Sequence, residues 1–238
     1  MSEQDYLKEG PLTKITDAIT EGTLPLMGKT TGETLIGILG TIASFRRFEG
    51  LTRASKFGLA AVSEDGPVNT AELEARVHDQ KLFKRTAHEI VSDHGYLADP
   101  SEAAVVFATY CRAYGIPASY VFAVSKDLVS GKSSGKLSYW AFSRVFMGDK
   151  QKIIDPSNAK KYASKGILEL HSSDDYSVAN KVYVPFAEGL DSRDMAIIGT
   201  DTKRSIVDKQ NFRLMLPDII TYLSETKDKP VQDGNSKS

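Results

Sequence analysis

The sequence predicts an α+β fold with an antiparallel sheet, and three observations carry that prediction. Apolar residues recur at helical spacing through the first half of the chain, and after Pro117 the period changes to two. The segments between the later strands are also too short for helical crossovers, so those strands pair as antiparallel neighbours. At 238 residues the chain is long enough to bury a sizeable core. Its 30 Lys+Arg against 31 Asp+Glu leave no basic excess of the kind nucleic acid selects, so no nucleic-acid partner is expected.

The helices come first. Gly10-Pro11 ahead of Leu12, Ile15, Ala18 and Ile19, with Gly22 as the stop, predicts a short helix with proline at its first position. Thr30 and Glu33 have capping-box spacing, and the apolar series Leu35, Ile36, Leu39, Ile42, Ala43 predicts a second helix ending near Arg46-Arg47. The run 35–45 is the longest apolar stretch, but eleven helical residues rise about 16 Å, half a hydrocarbon core. It is a core helix, and no membrane association is expected. After the turn at Asp65-Gly66-Pro67, Asn69 and Glu72 repeat the capping spacing and predict a helix to about Val91. Asp99-Pro100-Ser101-Glu102 then opens a fourth helix, with apolar residues at Ala103, Phe107, Tyr110, Cys111 and Tyr114 and a stop at Gly115.

Strands follow at 118–125 and at 137–147, the latter rich in aromatic and β-branched residues. Gly148-Asp149 turns the chain into a hairpin with 152–155, and 181–186 reads as a further strand. The expected organisation is a single domain over 1–224, of which 1–80 form a helical extension, followed by a disordered polar tail at 225–238. The first ten residues lack the basic and apolar regions of a secretory signal, and one cysteine cannot close an internal disulfide. A cytoplasmic location follows as the expectation.

Few residues offer chemistry on their own. Cys111 falls on the apolar stripe of its helix, where burial raises a thiol's pKa. His88 and His94 are six apart, not the three or four that stack ligands on one helical face, so no metal site is expected. The loop 130–136 carries Gly135-Lys136 ahead of a strand and lacks phosphate-loop spacing. No cofactor is expected.

The stretch 102–118, ending Tyr110-Cys111-Arg112-Ala113-Tyr114-Gly115-Ile116-Pro117-Ala118, resembles the central helix and following strand of the transglutaminase-like superfamily. Ser138-Tyr139-Trp140 resembles that family's His-Ala-Trp strand, and Ile154-Asp155-Pro156-Ser157-Asn158 its Leu-Asp-Pro-Thr segment. The resemblance covers 83–160, keeps the family's order, and implies a papain-like cysteine-protease-type fold with the helical N-terminal part packed on the sheet. It also implies a site. The family's cysteine, fifteen positions before the glycine, falls on Pro100, its histidine on Ser138 and its aspartate on Asp155.

A thiolate at a helix N-terminus and an imidazole to deprotonate it are what that chemistry requires. Neither residue type stands at the matching positions. The resemblance therefore implies a degenerate member, with Pro100, Ser138 and Asp155 as vestigial triad positions, acting as a peptide- or protein-binding or structural module. Tyr139 and Trp140 are the candidate binding residues. One alternative is an acyl-transfer or amide-hydrolysing enzyme using Ser101 beside the vacant position. Another is a subunit of a larger assembly docking through 1–80. Asp155 also has a plain reading, as the cap of the turn that follows its strand.

Overall fold

The computed structural model describes residues 3–47, 62–63, 66–67, 84–93, 95–97, 100–130, 139–148, 150–165, 176–178 and 180–192. Six α-helices fall within them: α1 (Asp17–Thr23), α2 (Thr31–Ser44), α3 (Ala87–Ser92), α4 (Pro100–Ala113), α5 (Lys126–Val129) and α6 (Ala159–Lys165). Five strands, β1 (Ala118–Ser125), β2 (Tyr139–Met147), β3 (Lys150–Ile154), β4 (Ser177–Val178) and β5 (Lys181–Gly189), form one sheet in the order β3-β2-β1-β5-β4. Every neighbouring pair in it is antiparallel. Two-residue pairings stand apart from it, parallel between 46–47 and 96–97 and antiparallel between 62–63 and 66–67.

The centre of the molecule is α4. Every residue from Ser101 to Arg112 is buried, because β1 and β2 cover one side of the helix while α1, α2 and α3 pack against it elsewhere. A helix enclosed all round must be apolar or have its polar groups satisfied, and Ala103, Ala104, Val105, Val106, Phe107, Ala108 and Cys111 supply the apolar part. Its C-terminus is closed by Gly115 at φ +69, with Ile116 N–H donating to Cys111 O at 2.9 Å. Only glycine takes that left-handed position without strain, and the resulting Schellman turn feeds straight into β1.

All eight residues of β1 are buried, so the strand shows no exposed face. Ala118, Tyr120, Phe122 and Val124 join the core around α4. Val121 and Ala123 face the other way, into a second cluster with Phe142, Ile153, Tyr176 and Tyr183. A sheet covered on both faces explains the continuous apolar run 121–124.

Several elements fall where the sequence predicts them. α4 begins at Pro100, β1 spans 118–125, and the Thr30–Glu33 capping box is formed in full at α2. β5 runs three residues beyond the predicted end, across a bulge between Ala187 and Pro185 opposite Phe122 and Ala123. The first helix differs more. It starts at Asp17 and not near Pro11, because Leu12 N–H donates to Asp191, Ile15 N–H to Glu9 and Gly10 N–H to Thr13, and these bonds replace the helical ladder. The helix predicted from Asn69 to Val91 is not continuous either. Thr86 is extended at φ −74, ψ 160 and caps a new helix, α3, through a second capping box with Glu89. Residues 69–83, the loop 131–137, the tail 225–238 and His78, His94 and His171 lie outside the described residues.

Candidate functional site

Strand register determines which residues share one end of the sheet. α4 ends at Ala113 and β1 begins at Ala118, so helix and strand run antiparallel, and the first turn of α4 lies toward the Ser125 end of β1. Val124 pairs with Tyr139 there, and Ser143 pairs with Ile154, so Tyr139, Trp140 and Asp155 gather at the same end. The short turn Pro156–Asn158 that follows Asp155 packs against α4. Pro100, Ser101, Tyr139, Trp140 and Asp155 are thus brought to one end of the sheet by helix length and strand pairing. Ser138, one residue before β2, lies outside the described residues.

Asp155 is buried and its carboxylate is crowded with donors. Oδ1 accepts from Ser157 N–H at 3.0 Å and from Ser157 Oγ–H at 2.6 Å. Oδ2 accepts from Trp140 Nε1–H at 3.1 Å and from Asn158 Nδ2–H at 2.8 Å. Two carboxylate oxygens offer about four lone-pair positions, and the described residues alone supply four donors. The side chain caps the turn 156–158 and at the same time fixes the indole of the chain's only tryptophan.

Trp140 and Tyr139 are each half-buried and point to opposite faces of the sheet. Tyr139 stacks on Phe122 with ring centroids 5.4 Å apart, on the α4 side. Trp140 lies 6.0 Å from Tyr183 on the other side, beside the second cluster. Each thus has an aromatic partner and is half-buried.

At the start of α4, Pro100 is half-buried and Ser101 is only 2% exposed. Glu102, on the same turn, faces Arg85. The Arg85 Nη1 to Glu102 Oε2 distance is 3.2 Å with both side chains buried, and Arg85 Nη2 also reaches Asp93 at 3.4 Å. The acid therefore serves the helix N-terminus and holds α3 against α4. Nothing in the sequence marks Arg85, seventeen positions upstream in a stretch read as continuous helix.

Cys111 is fully buried near the other end of α4, and burial pushes its thiol far above the usual range despite the neighbouring Arg112. It stays protonated and hidden. Among the described residues, no group of three or more His, Cys, Asp or Glu side chains could hold a metal ion, and no helix is long and apolar enough to cross a membrane.

No protein-family model and no curated protein matches the sequence. A solved structure described as "a Putative Cysteine Protease from Cytophaga hutchinsonii" is similar, at 14% identity and a TM-score of 0.46, over 83% of this chain. The match takes in 50% of that protein, so this chain spans about half the length of its neighbour.

Proposed function

We propose that this chain is a degenerate transglutaminase-like protein that binds an extended peptide or a partner protein at the end of the sheet formed by Tyr139, Trp140 and the first turn of α4, without catalysis. The observation that carries the reading is the donor-crowded carboxylate of Asp155. An aspartate that orients a catalytic imidazole needs a free oxygen for the ring N–H. Here four donors among the described residues, from Trp140, Ser157 and Asn158, already meet the two oxygens, which suits a cap and a fixed indole. Proline in place of the nucleophile and serine in place of the base agree with it.

The half-buried Tyr139 and Trp140 support the binding role. Rigid aromatic rings that stay half-exposed offer apolar area at low entropic cost. Ser101 as a nucleophile has no support from its burial.

Two measurements test the proposal. Purified protein given a glutamine peptide and an amine acceptor should release no ammonia. Turnover that survives stringent purification and vanishes in Ser101→Ala would overturn the non-enzymatic reading. Binding has its own reporter, since Trp140 is the only tryptophan. Titration with an extended glutamine-containing peptide should shift the indole emission in a saturable way, and an unchanged spectrum up to millimolar peptide would count against this site.

A further inference from the structure

We infer that residues 3–13 form a strap that opens and closes as one unit with the C-terminal end of β5, with the buried guanidinium of Arg112 as their shared clasp. Arg112 lies at the last turn of α4, the end opposite to the proposed site. Its Nε donates to Tyr6 O and to Ala118 O, both at 3.0 Å. Nη1 donates to Thr13 Oγ1 at 2.7 Å, and Nη2 donates to Ala118 O and Leu190 O, both at 2.7 Å. One side chain thus joins the strap, the start of β1 and the residue after β5, segments far apart in the chain.

Two further contacts bypass Arg112 and join the strap to β5 directly. Leu12 N–H donates to Asp191 Oδ2 at 2.6 Å, and Gly10 sits so close that a Cβ added there would collide with the same carboxylate and with the Leu190 side chain. The strap also lays Tyr6 on Phe146, stacked at 5.1 Å, and gives Leu12 O to Ala87 N–H at 2.8 Å.

A buried guanidinium is tolerated only while its donors are satisfied. Lifting the strap removes Tyr6 O and Thr13 Oγ1, and admits water that competes for Leu190 O. One of the bonds at the end of β5 then weakens in the same step, and loss of the Leu12 bond to Asp191 adds to it, leaving that end to its ladder with β1 and to the contacts of Glu188 with Ser119 and Arg144. Ala118 O is different. It follows α4 directly in sequence, so Arg112 keeps that partner and the α4–β1 junction stays closed. Opening is therefore local, in the manner of a cooperative sub-unit of the fold. The consequence is a reversible exposure of Phe146 and of the sheet end under Tyr6.

The test is amide hydrogen exchange on the full chain and on Gly10→Ala, a change confined to the strap that introduces the collision with Asp191. Exchange should accelerate tenfold or more at Leu12, at Ala87 and at Ala187 to Gly189, while the amides of 104–110 in α4 keep their rates. Acceleration confined to 3–13 would overturn the inference, and so would an equal acceleration everywhere. Should Gly10→Ala fail to fold, the unaltered chain answers in rising denaturant. The Leu12, Ala87 and 187–189 amides should then share one opening free energy and one denaturant slope, both below the global values. Separate slopes, or merger only at global unfolding, would refute it.

Discussion

Asp155 shows what a single side chain does in two settings. The sequence offered it as a triad position and as a turn cap, and its four bonds suit the cap. Replacing it by alanine leaves the buried Ser157 N–H and Oγ–H without this acceptor, and takes it also from the half-buried Trp140 Nε1–H and the exposed Asn158 amide. The expected cost is about 3 kcal/mol, the sum of a lost cap and of stranded donors, read by denaturant unfolding. The Trp140 partner was not legible, because which indole edge meets a carboxylate depends on strand register, and the hairpin turn alone does not specify that. Cys111 was legible as a core residue from its place on the apolar stripe. The native protein should resist thiol reagents until it unfolds, and Cys111→Ala should cost about 1 to 2 kcal/mol.

The same buried groups give a pH dependence of definite sign. Burial raises the Cys111 thiol from 9.0 and, with a smaller contribution from Tyr114, the Tyr110 hydroxyl from 10.0 to about 12. Each group binds its proton more tightly when folded. Their stabilisation is fully present below pH 9 and is lost as pH rises, first through Cys111 and above pH 10 through Tyr110 also, at up to about 1.4 kcal/mol per pH unit per group. Urea midpoints should fall between pH 9 and 12, and Cys111→Ala should show a later and shallower fall.

At the scale of elements, α4 was legible at both ends because its signals are local: Pro100 at the first position and Gly115 at the left-handed stop. Gly115→Ala should cost about 1 kcal/mol, since a Cβ meets no neighbour there and only backbone strain opposes it. α1 was misread where a distant group decides, and α3 where a local one does, the capping box of Thr86 with Glu89. Asp191 takes the Leu12 amide that the predicted helix needed, and Thr86 starts a new helix where an unbroken one was expected. The Arg85–Glu102 pair belongs here too, because it binds α3 to the first turn of α4. Arg85→Met should cost about 3 to 5 kcal/mol by removing a buried partner of the Glu102 charge, whereas Arg85→Met with Glu102→Met should recover most of that loss. A double-mutant cycle on chemical unfolding measures the difference.

For the whole molecule, the antiparallel sheet was legible from the short connections and the change of period after Pro117. What was not legible is the wrapping of α4. Its burial on every side rests on the strap, on Arg112 and on α1 to α3, which meet only in the folded chain. The Arg112 clasp had no sequence signal beyond an arginine at a helix C-terminus, where a cation is ordinary.

Under the proposed function, the end of the sheet holding Pro100, Trp140 and Asp155 is a catalytic framework from which the chemistry has been removed. The most direct test is to put the chemistry back. In Pro100→Cys with Ser138→His, the rate of alkylation of the new thiol is followed against pH, with Cys111 protected by its burial. The helix N-terminus and an adjacent imidazole should bring that thiol below the ordinary value of about 8.5, with a plateau in rate already near neutral pH. An alkylation profile that rises with an unshifted midpoint, in a variant whose circular dichroism and unfolding transition match the parent, would mean that these positions do not form a site.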